Sequence, residues 1–222
     1  PNYFLTRNEA KYFLTCIGDN ILKKGCDCTY YVSPAAKQNL VKLDMLYGLV
    51  AGPTNLTGNF ITKYCETTSL TNCRLIRMRN SSSLADNWFN MLKENALNLL
   101  CVAAHYSNAN TNADAFLEKR EELRTYALFM KNNTSQQMVD KFCDECVTVG
   151  ADDAIVAHSK LKAAMSWRNV QYIWKRFMSE YAIPRVVNNA TLKTLLQAKY
   201  PYDADTDTFV NLTSKHLPVV SD

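Results

Sequence analysis

Trp167, Val170, Trp174, Phe177 and Tyr181 fall three, four, three and four residues apart. That spacing puts five apolar side chains on one stripe of an α-helix. A strand cannot use it, because strand side chains change face at every residue. The stripe predicts a helix over 160–182, with its aromatic rings committed to a core. Ile183-Pro184 ends it, since proline lacks the N–H and crowds the residue before it. Asn188 or Asn189 then caps a short helix to about Lys199, and Tyr200-Pro201 ends that one. The DADTD run Asp203–Asp207 forms a turn, and TFVNL (208–212) reads as a strand.

Upstream, residues 8–24 predict a helix capped by Asn8 and stopped by Gly25. CTYYV (28–32) is a short strand. Ser33-Pro34 opens a helix in the favoured order of cap and then proline, and Gly48 ends it. FITKYC (60–65) and CRLIRM (73–78) look like a strand pair joined by a polar connection. Helices are expected over 83–104, 113–131 and 135–148. Between the first two lies SNANTNA (107–113), small, polar and without periodicity, the best candidate boundary, although two helices of one domain can also be joined this way. The expectation is therefore a mostly helical α+β fold. A mixed α/β part with a short sheet (1–107) precedes a helical part (112–222) that ends in a winged-helix-like unit at 154–214.

Six glycines and six prolines in 222 residues, with 47% hydrophobic and 21% charged residues, exclude disordered and collagenous chains. No apolar run approaches the ~18 residues of a membrane helix, and no signal peptide opens the chain. A chain this long builds its core without disulfides, so the eight cysteines read as free thiols in a reducing, cytoplasmic setting. Pro1 in place of Met reads as a segment of a longer protein. No GxxxxGK[ST] phosphate loop, GxGxxG, HExxH or GxSxG occurs, which excludes those enzyme classes within this chain. No cofactor and no catalytic residue is expected.

The net charge of +4 conceals a strong pattern. Residues 1–79 carry +5, 80–111 −1, 112–153 −4, 154–202 +7 and 203–222 −3. Polyanion binding needs a locally positive surface, because counterions released from neutralised phosphates drive it. The +7 block holds Lys160, Lys162, Arg168, Lys175, Arg176, Arg185, Lys193 and Lys199 against Glu180 alone. It coincides with the order helix, break, short capped helix, acidic turn and strand, which is the layout of a winged helix with its recognition helix and wing. Arg168, Lys175, Arg176, Arg185, Lys193 and Lys199 are the candidate nucleic-acid contacts. Arg77 and Arg79, on one side of a strand, are candidate helpers. Cys26, Cys28, Cys143 and Cys146 make a possible four-thiolate zinc set, with free thiols the simpler reading. DADTD opens like a calcium loop but lacks the glycine and closing glutamate, and reads as a solvated turn. The opposite charges of 112–153 and 154–202 leave self-association without nucleic acid as the rival reading, while a Mg²⁺-dependent nuclease would need further carboxylates.

IGDNILKK (17–24) after NEAKYFLT (8–15), KYCE (63–66) before CRLIRM (73–78), and WKRF…IP…LKTLL…F.NLTSKHLP (174–218) resemble the C-terminal part of primase–helicases of large cytoplasmic DNA viruses, the poxvirus-type superfamily-3 group. The resemblance implies a segment of a replicative protein in the host cytoplasm, with a winged-helix-like region beside a ring ATPase. No nucleotide-binding residue carries over, because the phosphate loop is absent here.

Overall fold

The computed structural model describes residues 4–24, 27–52, 55–63, 71–78, 84–150, 164–181, 183 and 186–217. The protein is mostly helical, with small sheets, and divides into two compact units, Pro1–Asn132 and Asn133–Asp222. None of its described helices is long and apolar enough to cross a membrane.

In the first unit, α1 (Arg7–Ile21) begins at a capping box. Thr6 Oγ1 accepts the Glu9 N–H at 3.2 Å and Glu9 Oε2 accepts the Thr6 N–H at 2.9 Å. The cap is thus two residues earlier than Asn8, because only Thr6 has a glutamate three residues on. After β1 (Thr29–Tyr31), α2 (Pro34–Ala51) starts at Ser33, whose hydroxyl accepts the Ala36 N–H. This helix runs through Gly48 and stops at Gly52, where φ is +83°, a conformation only glycine adopts readily. Strands β2 (Phe60–Ile61) and β3 (Cys73–Leu75) do not pair with each other. Both lie parallel to β1, in the order β2-β1-β3, with Tyr30 opposite Phe60 and Arg74. Parallel pairing needs a long crossover, and α2 supplies the one between β1 and β2.

Helix α3 (Leu84–Ala109) continues five residues past its expected end. Ser107 is fully buried and donates to Asp19 Oδ1 at 2.5 Å, so part of the polar stretch is held inside the unit. The expected boundary at 107–113 is thus a three-residue turn between α3 and α4 inside the first unit, and the two units divide at Asn132/Asn133 instead. The expected helix 113–131 is three short ones, α4 (Ala113–Glu118), α5 (Glu121–Ala127) and α6 (Phe129–Asn132). Arg120 breaks it with a non-helical ψ of 75°. Tyr12, Phe13, Ile17, Tyr30, Leu40 and Phe60 form the centre of this unit's core.

The second unit opens with α7 (Ser135–Cys146), capped by a Thr134–Gln137 box. There follow β4 (Thr148–Val149), β5 (Ala164–Ser166), α8 (Trp167–Glu180), α9 (Asn189–Gln197), β6 (Tyr202–Asp203), β7 (Thr208–Val210) and β8 (Leu212–Thr213). β5, β7 and β6 make an antiparallel sheet in that order, and β4 pairs with β8. The helix expected from 160 starts only after Ser166, because Met165 pairs with Phe209 in the sheet. The seam does form a core: Phe142 meets Trp174 edge-on at 5.0 Å, and Trp174 stacks on Phe177 at 5.7 Å. Trp167 and Tyr181, at its two ends, stay partly exposed.

Candidate nucleic-acid interface

Ser166 fixes the start of α8 by accepting the Asn169 N–H at 3.3 Å. With Val170, Ile173, Trp174, Phe177 and Met178 turned inward, Arg168, Tyr172, Lys175 and Arg176 face solvent. The three cations have no ion pair among the described residues. Helix α9 is capped by Asn188, which accepts the Thr191 N–H at 2.8 Å. It buries Leu192 and Leu196 and exposes Asn189, Ala190, Thr191, Thr194 and Gln197. No residue of α9 is acidic.

Lys193 and Lys199 are placed differently from the α8 cations. Lys193 Nζ lies 2.9 Å from Asp207 Oδ1 and sits over the rings of Tyr202 and Trp167, 4.7 and 5.5 Å from their centroids. The Tyr202 hydroxyl donates to the same Asp207 oxygen. Hydrogen bonds from Tyr202 and Lys193 hold the Asp207 carboxyl below its usual range, and Lys193 stays charged above its own. Lys199 Nζ lies 2.5 Å from Asp140 Oδ1, which also accepts from Gln136 at 2.7 Å. Both lysines are thus neutralised within the chain. Arg185 and Arg79, with Lys160 and Lys162, lie outside the described residues.

Arg77 belongs to the first unit, past the end of β3, so strand alternation does not govern it. Its guanidinium lies 4.1 Å over the Tyr126 ring, with Nε 3.8 Å from Glu9 Oε1. Burial pushes the Tyr126 hydroxyl up to about 12. Arg74 is 4% exposed and grips Asp114 through two bonds, Nε to Oδ1 at 2.9 Å and Nη2 to Oδ2 at 2.8 Å. That pair is structural and joins β3 to α4.

Three carboxylates of the acidic segment are occupied as well. Asp114 serves Arg74, Asp140 serves Lys199, and Glu145 accepts from the Tyr181 hydroxyl at 2.6 Å, pushing that phenol up to about 12. In the DADTD turn, Asp203 accepts from the Asp205 N–H and the Thr206 hydroxyl, so its oxygens close the turn. Among the described residues no three His, Cys, Asp or Glu side chains converge as a metal site. Cys16, Cys28, Cys73, Cys101, Cys143 and Cys146 are thiols outside any disulfide. Burial pushes the Cys143 and Cys146 thiols up. Cys101 is exposed, although its helical pattern suggests a core position. Cys26 and Cys65 lie outside the described residues.

Sequence reasoning missed Tyr172, whose signal is its place four residues after Arg168 and away from the seam. It also missed the Arg74–Asp114 pair, which spans 40 residues and leaves no local signal. No family model, no curated protein and no solved structure matches the chain.

Proposed function

We propose that the chain is a nucleic-acid-binding accessory segment of a viral DNA replication protein of the primase–helicase kind, without chemistry of its own. It works in the host cytoplasm, where the free thiols stay reduced. The observation that carries this reading is the exposed face of α8, where Arg168, Lys175 and Arg176 stand without carboxylate partners among the described residues. Other cations of the second unit, Lys141, Lys193 and Lys199, are already paired in-chain. Phosphates therefore gain most on α8, where no internal ion pair must be broken first.

The order α7, β5, α8, α9, then the β6–β7 hairpin, with β7 between β5 and β6, supports a winged-helix reading of the second unit. The acid-free, polar outer face of α9 suits an approach to base edges through Asn189, Thr191 and Gln197. The test is a variant carrying Arg168→Glu, Lys175→Glu and Arg176→Glu, titrated by fluorescence anisotropy against labelled single strands and duplexes. Losses of ~10-fold or more on one or both are expected. Unchanged affinity for both would sink the reading.

A different observation favours the rival reading of an assembly module. Val41, Met45 and Leu49 recur every four residues along α2 and are 41%, 69% and 83% exposed. Replacing Met45 and Leu49 by Asp changes the oligomeric state on size exclusion if that stripe is an interface, and leaves a monomer unchanged if it is not.

A further inference from the structure

We infer that the outer face of α8 is a platform for single-stranded nucleic acid, with Tyr172 stacking a base between two sets of phosphate contacts. This rests on the nucleic-acid reading above and names the form of strand that the face selects. Tyr172 is 54% exposed, and no other Tyr, Phe or Trp whose side-chain burial is described is exposed to that degree. Its ring makes no ring or cation contact among them either. Core demand does not explain the position, since the buried seam of α8 lies on the other side.

Its neighbours do explain it. At about 100° per residue, Arg168, Tyr172, Lys175 and Arg176 fall within an arc of about 100°. Arg168 stands about 6 Å along the axis on one side of the ring, and Lys175 and Arg176 about 4–6 Å on the other. A nucleotide whose base lies on Tyr172 therefore has its two flanking phosphates at cationic side chains. Every base presents a π-face, so such a site is tolerant of sequence. In a duplex both faces of each interior base are already covered by neighbours, and the ring gains nothing there. The cations serve both forms; the ring serves only the single strand.

The test compares the intact chain with Tyr172→Ala and Tyr172→Phe on labelled single strands of DNA and of RNA, each about 20 nucleotides to exceed one site, and on a DNA duplex of equal length. Tyr172→Ala is expected to weaken single-strand binding about 10-fold and to leave the duplex within about twofold, while Tyr172→Phe keeps wild-type affinity. The DNA and RNA arms tell which strand is the ligand. Equal affinity of Tyr172→Ala and wild type for both strands overturns the inference, as does an equal loss on strand and duplex. An acidic protein partner on this face would give the first of those results. The Arg168/Lys175/Arg176 reversal separates the two levels: if it weakens binding while Tyr172→Ala does not, the platform fails and the nucleic-acid reading stands.

Discussion

Two carboxylates of the first unit respond to acid in opposite directions. The Arg74 guanidinium beside Asp114 holds that carboxyl below its ordinary value of 3.8. Its contribution to stability is therefore complete above that value and is lost as pH falls through the folded one. Asp19 runs the other way, because burial raises it despite bonds from the Ser107 hydroxyl and the Ala113 N–H. Ionising Asp19 costs stability, so its contribution is complete below the ordinary value and falls away as pH rises through the raised one. Asp114→Asn leaves a 4% exposed guanidinium without its carboxylate. It should cost about 2 kcal/mol near neutral pH, less than the ~3–5 of a fully buried pair because Asp114 is half exposed. Urea unfolding of that variant should also lose part of the wild type's weakening below about pH 4; an unchanged acid limb would refute the pairing. Asp19→Asn should cost about 1–3 kcal/mol at neutral pH, since both partners of Asp19 are donors and an amide offers one oxygen. Equal urea midpoints for wild type and Asp19→Asn would show that the bonds from Ser107 and Ala113 are dispensable.

Elements with local signals were legible: the Ser33-Pro34 start, the Asn188 cap and the amphipathic stripe appear where short-range chemistry puts them, while Pro184 lies outside the described residues. Elements decided by distant partners were not. β5 is a strand because Phe209 lies opposite Met165, 44 residues away, and β2 and β3 are neighbours of β1 rather than of each other. The same division holds for the site. A helix pattern locates Arg168, Lys175 and Arg176 on one face, whereas the neutralisation of Lys193 by Asp207 and of Lys199 by Asp140 follows from folding. The packing of α1 on α3 shows how far tertiary context overrides propensity. A Cβ on Gly18 would lie 2.1 Å from the Ala103 carbonyl oxygen and 2.7 Å from Ser107 Cβ. Alanine favours a helix interior over glycine by about 1 kcal/mol, but here the two backbones must separate to admit a methyl. Gly18→Ala should therefore destabilise by about 2 kcal/mol or more, and a raised melting temperature would contradict the close approach.

At the scale of the molecule, the described part of Asn133–Asp222 holds seven basic and seven acidic residues, so its charge works by arrangement rather than excess. Three of the cations are spent on Asp140, Glu145 and Asp207. Lys215, in a pocket wall with Asp144, Glu145 and Glu180, has no ion pair among the described residues, so Arg168, Lys175 and Arg176 on α8 are three of the four unpaired cations there. Salt dependence reads that arrangement directly. Each phosphate neutralised on a single strand contributes about −0.7 to the slope of log K against log salt. Contacts by Arg168, Lys175 and Arg176 alone give a slope near −2. Each contact added by Lys160, Lys162 or Arg185 steepens it by about the same −0.7. The Arg168/Lys175/Arg176 reversal should bring the slope close to zero in the first case and leave a residue in the second. Lys193→Ala should change the slope by less than Lys175→Ala does, because Lys193 already has a carboxylate and its removal frees an anion instead of a phosphate site. Equal changes for the two lysines would mean that the Asp207 pair opens on binding, and that α9 and the β6–β7 hairpin carry phosphates as well as α8.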